Sequence, residues 1–250
     1  MKAYYNEIDP YAAQWLRNLI AAGHLAPGIV DERSIEDVTP ADLSGFTQCH
    51  FFAGIGLWSL ALRKAGWGDE RPVWTMSCPC QPFSTAGEGA GFADERHLWP
   101  AAFHLVTEHR PAVVFGEQVT ASAEWVNLVR SDLGSLDYAM GLLPIEAASA
   151  GAFHLRARIF FVADTDGFGR QEGGLPVAGS AEATGERPTD FLGDAGQVDF
   201  VGCLDGRKRP VESGARTLVD AHPRRVGKLR AYGNGIDVGA ASSFISAYMG

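Results

Sequence analysis

The chain lacks the sequence features of membrane-spanning, secreted, zinc-binding and disulfide-rich proteins. It has no run of about eighteen apolar residues that could cross a bilayer, and its first residues lack the apolar segment of a signal peptide. It has four cysteines without the repeated close spacing of a zinc site or a disulfide scaffold. We therefore expect a soluble, intracellular protein with free thiols and without a bound metal. The cysteines are Cys49, Cys78, Cys80 and Cys203.

Positive charge is also scarce. The 250 residues include 21 Lys and Arg against 30 Asp and Glu, and the net charge of −9 argues against a uniformly basic nucleic-acid binder. Residues 205–230 differ, because they contain eight basic and three acidic residues. A basic tract on an acidic body is typical of a surface that contacts phosphates, and a solvated loop remains the alternative. From this tract we assign to DNA contacts Arg207, Lys208, Arg209, Arg224, Arg225 and Lys228.

Strand and helix patterns alternate along most of the chain, whose 46% hydrophobic content suits one substantial core. This alternation predicts an α/β fold with a mostly parallel sheet and helices on both faces. Predicted strands cover 2–6, 48–52, 73–77, 112–116 and 158–163. Predicted helices cover 57–65, 98–109, 123–133 and 240–248, with a further helix that Asp9-Pro10 opens and Gly23 ends.

The pattern changes after residue 165. Eleven glycines lie between 167 and 214, without a clear period, which predicts loops with at most short strands. Regular structure is expected to return at 232–236. We therefore predict a main domain formed by 1–164 plus 229–250, with an insert at 165–228.

Three groups suited to attack on an electron-poor ring occur near strand ends. Cys80 follows an apolar strand and precedes a polar, glycine-rich stretch, which predicts an accessible thiol, whereas Cys78 reads as a buried apolar residue. Glu117 ends a second strand and is predicted to face a ligand crevice, with a helix-capping role as the alternative. Arg156 and Arg158 alternate, so a strand would place both on one face.

A glycine turn and a nearby acid suggest a ligand site. Phe52–Gly56 lies between a predicted strand and a helix, where backbone N–H groups can approach a ligand closely. A purely structural turn is the alternative. Glu7, at another strand end, suits hydrogen bonding to ribose hydroxyls, and its alternative role is an exposed carboxylate at a helix start.

Together these pieces resemble the DNA (cytosine-5) methyltransferase family. Phe52–Gly56 looks like its S-adenosylmethionine motif, Pro79-Cys80-Gln81 like its nucleophile motif, and Glu117-Gln-Val119 like its Glu-Asn-Val motif. His154–Arg158 resembles Gln-x-Arg-x-Arg, and Gly233–Gly235 resembles Gly-Asn-Ser. The acid follows the cysteine by 37 positions, a specific spacing, and the matches touch nearly every segment outside 165–228.

The chain departs from the family pattern in order and in detail. Segments 6–9 and 31–38, which resemble the second and third motifs, precede the glycine motif, so we predict a local permutation. The changed order predicts a connection of unusual length or hand within 66–71.

Four substitutions stand in the motifs, and they leave the thiol, the acid and the final arginine intact. They are His50 for an acid, for which we predict a structural role, Leu57 for the third glycine, Gln118 for Asn and His154 for Gln.

The resemblance implies a Rossmann-like S-adenosylmethionine-dependent methyltransferase fold, locally permuted, with 165–228 as a short target-recognition insert. Its catalytic residues would be Cys80, Glu117, Arg156 and Arg158. Its cofactor contacts would be Glu7, Ile8, Ser34, Ile35, Phe52, Ala53, Gly54, Gly56, Leu57, Pro79, Leu98, Asn234 and Ile236. Gln81 and Ser84 would contact DNA.

The implied activity is transfer of a methyl group to carbon 5 of cytosine in double-stranded DNA, with Cys80 bonded to carbon 6 and the base flipped out. The implied setting is a monomer in the cytoplasm of a bacterial or phage-infected cell, within restriction and modification. Three alternatives stay open at this point: a non-catalytic DNA-binding homologue, a tRNA cytosine-5 methyltransferase, and transfer of a group larger than methyl.

Overall fold

The computed structural model describes residues 2–79, 98–119, 123–146, 157–166, 198–202, 208–212 and 235–250. The strands are β1 Ala3–Asn6, β2 Gly28–Asp31, β3 Gln48–Phe51, β4 Val73–Met76, β5 Val113–Val119, β6 Ala139–Glu146, β7 Ala157–Asp164, β8 Val198–Gly202 and β9 Lys208–Glu212. The helices are α1 Pro10–Ala21, α2 Leu57–Lys64, α3 Trp99–His109, α4 Ala123–Ser135 and α5 Val238–Met249. Two short 3-10 helices, Ile35–Asp37 and Pro40–Leu43, lie between β2 and β3.

Seven strands form one sheet in the order β2-β1-β3-β4-β5-β7-β6. Strands β1 to β5 pair in parallel, whereas β7 is antiparallel to both of its neighbours. With helices on both sides, this sheet confirms the predicted α/β class. A separate antiparallel hairpin joins β8 to β9, which agrees with the short strands expected after residue 165.

Each face of the sheet has its own set of helices. The first face carries Tyr5 and Phe115, and α1, α2 and α5 cover it: Leu16 packs with Tyr5, Trp58 stacks on Phe115 and Phe244 meets the edge of the same ring. The second face, on the other side of the sheet, carries Tyr4, Cys49, Trp74 and Val114. The 3-10 helices, α3 and α4 cover that side.

The connection from β3 to β4 has the opposite hand to its neighbours. The β1–β2 connection crosses the first face and runs toward the β2 edge of the sheet. The β2–β3 connection crosses the second face and runs in the opposite direction. Because both the face and the direction are reversed, these two connections have the same hand. The β3–β4 connection moves away from the β2 edge across the first face. Since about 98% of such crossovers are right-handed, we assign the left hand to this one. It contains 66–71, the segment for which the altered motif order predicts a connection of unusual length or hand.

The local signals for most elements are visible in the structure. Asp9 caps α1, because its carboxylate accepts hydrogen bonds from the backbone N–H groups of Tyr11 and Ala12. Gly66, predicted to stop α2, has a positive φ of 82° just after that helix. The predicted central strands and helices are confirmed to within a few residues.

Sequence reasoning missed the two edge strands, β2 and β6. Strand β2 has only four residues and starts at Gly28, where a Cβ would collide with the carbonyl of Ala3 on the adjacent strand. Strand β6 contains Pro144, which has no N–H for pairing and is tolerated because β6 pairs on one side only. Both strands are specified by their neighbours more than by their own composition.

Candidate active site

Four chain segments reach the same edge of the sheet. Asn6, Phe51, Met76 and Gly116 lie in register across β1, β3, β4 and β5. The residues that follow them, Glu7, Phe52, Ser77 and Glu117, therefore lie along the carboxyl edge of the parallel strands. In open α/β sheets, ligands bind at this edge.

Glu7 is bound to the glycine turn. Its Oε2 accepts a hydrogen bond of 2.7 Å from the backbone N–H of Gly54, and its Oε1 accepts one of 2.9 Å from Asp9. Burial raises the pKa of Glu7, while these backbone N–H groups oppose the rise. The backbone N–H of Ala53 also bonds to the carbonyl of Asn6, so β1 and the turn form one unit.

The two central glycines of the turn have different surroundings. Both have positive φ, 57° for Gly54 and 82° for Gly56. A Cβ on Gly54 would have no heavy atom within 4 Å among the described residues, whereas one on Gly56 would overlap Leu25 and approach Leu16 to 2.9 Å. Gly56 is therefore required for packing against α1 and its following loop, whereas Gly54, beside Glu7, has no such neighbour in the described part of the chain.

Glu117 and Arg158 form an ion pair. Glu117 is directly opposite Phe160 in the antiparallel β5–β7 ladder, and Arg158 is its diagonal neighbour on the same face. The Nε of Arg158 lies 2.8 Å from Oε1 of Glu117, with the carboxylate side chain 9% and the guanidinium side chain 23% exposed. The guanidinium stabilises a carboxylate charge that burial alone would disfavour. Two of the three predicted reactive groups thus meet.

The segment that leads to the predicted nucleophile is held at two points. Trp58 Nε1 donates a hydrogen bond of 3.0 Å to Ser77 Oγ, and Gln118 Nε2 donates a longer one of 3.4 Å to the carbonyl of Cys78. The Cys78 side chain belongs to the core, where burial raises its thiol pKa. Its predicted inert character agrees with this burial. Pro79, the next residue, is half-buried.

Beside the turn, a polar cluster fixes the loop after β2. The Asn6 amide donates to the carbonyl oxygen of Arg33 at 2.8 Å, and the Arg33 guanidinium is bonded to the Asp31 carboxylate. Burial raises the pKa of Asp31, but the hydrogen bonds from Arg33 outweigh it and lower the pKa to about 2. Ser34 caps the following 3-10 helix. Ile35 is 2% exposed and packs in the core of the second face.

The remaining predicted cofactor residues differ in their exposure to solvent and in the core that they contact. Ile8 is 64% exposed at the carboxyl edge, so it is open to a ligand. Phe52 and Leu98 pack partly against the second-face core, whereas Leu57 and Ile236 pack against the first-face core. Several predicted site residues lie outside the described residues: Cys80, Gln81, Ser84, Arg156, Arg207, Arg224, Arg225, Lys228 and Asn234. Lys208 and Arg209 lie in β9.

His50 lies within the first-face core, as its predicted structural role requires. Its ring stacks on Tyr5, and its Nδ1 is 2.8 Å from Thr75 Oγ1. Its Nε2 has no hydrogen-bond partner among the described residues, and burial lowers its pKa to about 3. Within the same described part of the chain, no three His, Cys, Asp or Glu side chains are grouped to hold a metal.

Three residues at this edge were not predicted from sequence. Asn6, Trp58 and Ser77 all make hydrogen bonds that connect separate elements. The buried Asn6 ends an otherwise apolar strand, which is a detectable signal. Trp58 and Ser77 give no such signal. A tryptophan in a predicted helix is typical of an ordinary core residue, and the bond from Trp58 to Ser77 is visible only in the structure.

The sheet order and the residues at its carboxyl edge define an α/β protein with an acid and an arginine paired at the edge where such sheets bind ligands. Residues 70–173 match the model of the C-5 cytosine-specific DNA methylase family. This stretch, somewhat less than half of the chain, is therefore similar to that family. The matched range includes positions 80, 117 and 158, whereas the glycine turn, Glu7 and the loop after β2 lie before it; the permuted motif order stays a prediction.

The relatives of known name are type II methyltransferases. The chain is 34% identical over 160 residues to the type II methyltransferase M.NgoMIV of Neisseria gonorrhoeae, covering 47% of this chain and 51% of that one. It is 30% identical over 99 residues to M.HhaI of Haemophilus parahaemolyticus, covering 37% and 30%. The chain thus spans about half the length of the first relative and less of the second.

Among solved structures, the chain is similar to the S. pombe Dnmt2 methyltransferase at 16% identity and a TM-score of 0.41, covering 64% of this chain and 40% of that one. In the described part of this chain, every helix is too short or too polar to span a bilayer.

Proposed function

We propose that this protein transfers a methyl group from S-adenosylmethionine to carbon 5 of cytosine in double-stranded DNA. The observation that carries the proposal is the buried Glu117–Arg158 pair at the sheet edge that also holds Glu7 and the glycine turn. A buried acid and an arginine beside a ligand edge suit a polar heterocycle, which offers both donors and acceptors.

The residues around Glu7 fit the cofactor. Its carboxylate suits ribose hydroxyls, Gly54 leaves space for close approach of a ligand, and Ile8 offers an exposed apolar surface to a purine ring. When bound, the cofactor supplies an electrophilic methyl group. The protein's part is to orient that group toward the pyrimidine and to exclude water from the site.

Glu117 and Arg158 suit recognition of a cytosine ring. In the proposed reaction, Glu117 takes up a proton and shares it with ring N3, and Arg158 donates a hydrogen bond to O2, which together stabilise the negative charge that develops on the ring when a nucleophile adds at carbon 6. A guanidinium has five N–H donors. The Glu117 carboxylate and the Ala157 carbonyl accept two of them, so the side chain has the capacity to bond an additional oxygen.

Cys80 is the proposed nucleophile. It follows Cys78 by two positions in the sequence, and the Cys78 carbonyl accepts a hydrogen bond from Gln118, the residue next to Glu117. Its thiolate adds at carbon 6, carbon 5 takes the methyl group, and a base or water then removes the carbon 5 proton so that the thiolate leaves. Since a duplex hides carbon 6, the base must be flipped out.

DNA contacts are proposed for the insert at 165–228. The basic tract 205–230 supplies a local positive charge on an acidic chain, and phosphate neutralisation by such residues gives affinity that falls as salt rises. Gln81 and Ser84 are proposed to contact the DNA near the target base. The proposed setting is a bacterial or phage modification system.

The test is covalent trapping on duplex DNA that contains 5-fluorocytosine, with S-adenosylmethionine present. Fluorine replaces the proton that must leave, so the expected product is a stable adduct that mass spectrometry maps to Cys80. Cys80→Ser is the matched control, and it should bind DNA and cofactor without forming the adduct.

Failure of the wild type to form an adduct, with both ligands bound, would instead favour a non-catalytic DNA-binding homologue. A competing tRNA substrate separates the DNA and tRNA activities, and the mass of the product nucleoside identifies the transferred group.

A further inference from the structure

Trp58 connects the cofactor turn to the nucleophile segment. It is the second residue of α2, which begins directly after the Phe52–Gly56 turn. Its indole N–H crosses to Ser77, the first residue after β4, at 3.0 Å. Two separate chain segments that the proposed reaction requires are thus joined by one side-chain hydrogen bond.

The orientation of the indole is set by packing. Trp58 is 4% exposed, stacks on Phe115 with a centroid distance of 6.2 Å and meets the edge of Phe160 at 6.0 Å. An indole has one N–H donor and no acceptor. Because both neighbouring rings belong to the central strands β5 and β7, the donor is aimed at Ser77 by the rigid part of the sheet.

The next residue along the segment is held as well. The Gln118 side-chain oxygen accepts a hydrogen bond from its neighbour Val119 at 2.9 Å, which directs its amide nitrogen toward the Cys78 carbonyl. The Cys78 side chain is buried in the opposite core. The segment that begins at Ser77 is therefore held at two successive residues, at Ser77 by Trp58 and at Cys78 by Gln118. The Trp58 contact is the one that comes from the helix after the glycine turn.

We propose that Trp58 is a positioning residue, which acts through Ser77 to hold the segment that carries the nucleophile in line with the cofactor turn. This inference rests on the proposed function. A bond that fixes reacting groups in place changes the rate of the chemical step more than it changes ligand affinity.

The test is a double-mutant cycle between Trp58→Phe and Ser77→Ala in the full chain. Phe keeps an aromatic ring against Phe115 but removes the N–H, and Ala removes the acceptor. We expect each single variant to reduce the single-turnover methyl-transfer rate about fivefold at saturating cofactor and DNA. The double variant should be no slower than either one, because all three lack the same bond.

The matched control is Trp67→Phe. Trp67 is also buried and donates its indole N–H to the Arg71 carbonyl at 3.1 Å, but it precedes β4 at the amino edge of the sheet. This control should lower the melting temperature without changing the rate. Cofactor affinity, measured by calorimetry, should be nearly the same in the wild type and in the Trp58 and Ser77 variants.

The outcomes separate this inference from the proposed function. A wild type that neither methylates DNA nor forms the adduct refutes the proposed function. An active wild type refutes the positioning role if the two single variants keep its rate, or if their rate losses multiply in the double variant.

Discussion

Alanine at Gly56 should mainly reduce the stability of the fold, whereas alanine at Gly54 should mainly weaken cofactor binding. Gly54→Ala and Gly56→Ala each place a methyl group on a residue with positive φ, which costs roughly 1–2 kcal/mol for an L-residue. Only Gly56→Ala adds a steric conflict, because its methyl group would overlap Leu25 and crowd Leu16. Those leucines are 2% and 0% exposed, so they have little room to move.

Overpacking of a buried site costs about 1–3 kcal/mol. Gly56→Ala should therefore lower the free energy of unfolding by about 2–5 kcal/mol, against about 1–2 kcal/mol for Gly54→Ala. Urea denaturation at constant pH measures both values. The order should reverse for the cofactor: Gly54→Ala, whose methyl group enters the space beside Glu7, should weaken binding at least about tenfold by calorimetry.

Equal loss of stability in the two variants would refute the assignment of Gly56 to the α1 contact. Unchanged cofactor affinity in Gly54→Ala, with the protein folded, would refute the assignment of that open space to the ligand.

Three further predictions concern buried charge and buried thiols. His50 has a folded pKa of about 3, below its unfolded value, so its contribution to stability should be lost as pH falls: about 2 kcal/mol between about pH 6.5 and pH 5. His50→Gln should flatten that slope in urea titrations, and an unchanged slope would contradict the buried neutral ring. Arg158→Ala leaves a carboxylate buried without its cation and should destabilise the fold more than Glu117→Gln, which removes the charge but keeps the shape; equal denaturation midpoints would count against the pair. Iodoacetamide should leave Cys49 and Cys78 unmodified in the native protein, since burial raises both thiol pKa values, and alkylated peptides from either position would show that the core is open there.

The helix of the β3–β4 crossover, to which we assign the left hand, is well packed. A left-handed β-α-β connection is rare because the twist of the strands favours the other hand. Here α2 keeps extensive packing against α5 and the first face, including Trp58 on Phe115. The turn at Phe52–Gly56, directly before this helix, is bonded to Glu7.

Local sequence determined the central strands, most helix ends and the positions of the chemically distinctive groups. Asp9 before Pro10 and the glycine turn between strand and helix are short-range signals, because capping and positive φ depend on adjacent residues. The cysteine and acid motifs are equally local, and their residue types and spacing are sufficient to indicate the family.

Only the tertiary structure decided which distant residues meet. The Glu117–Arg158 pair depends on the antiparallel register of β5 and β7, and a shift of one residue would place the two side chains on opposite faces. The bond from Trp58 to Ser77 and the hand of the β3–β4 connection depend on which face α2 covers. Register and face are set by the burial of whole strands and helices, and no short segment of the chain encodes them.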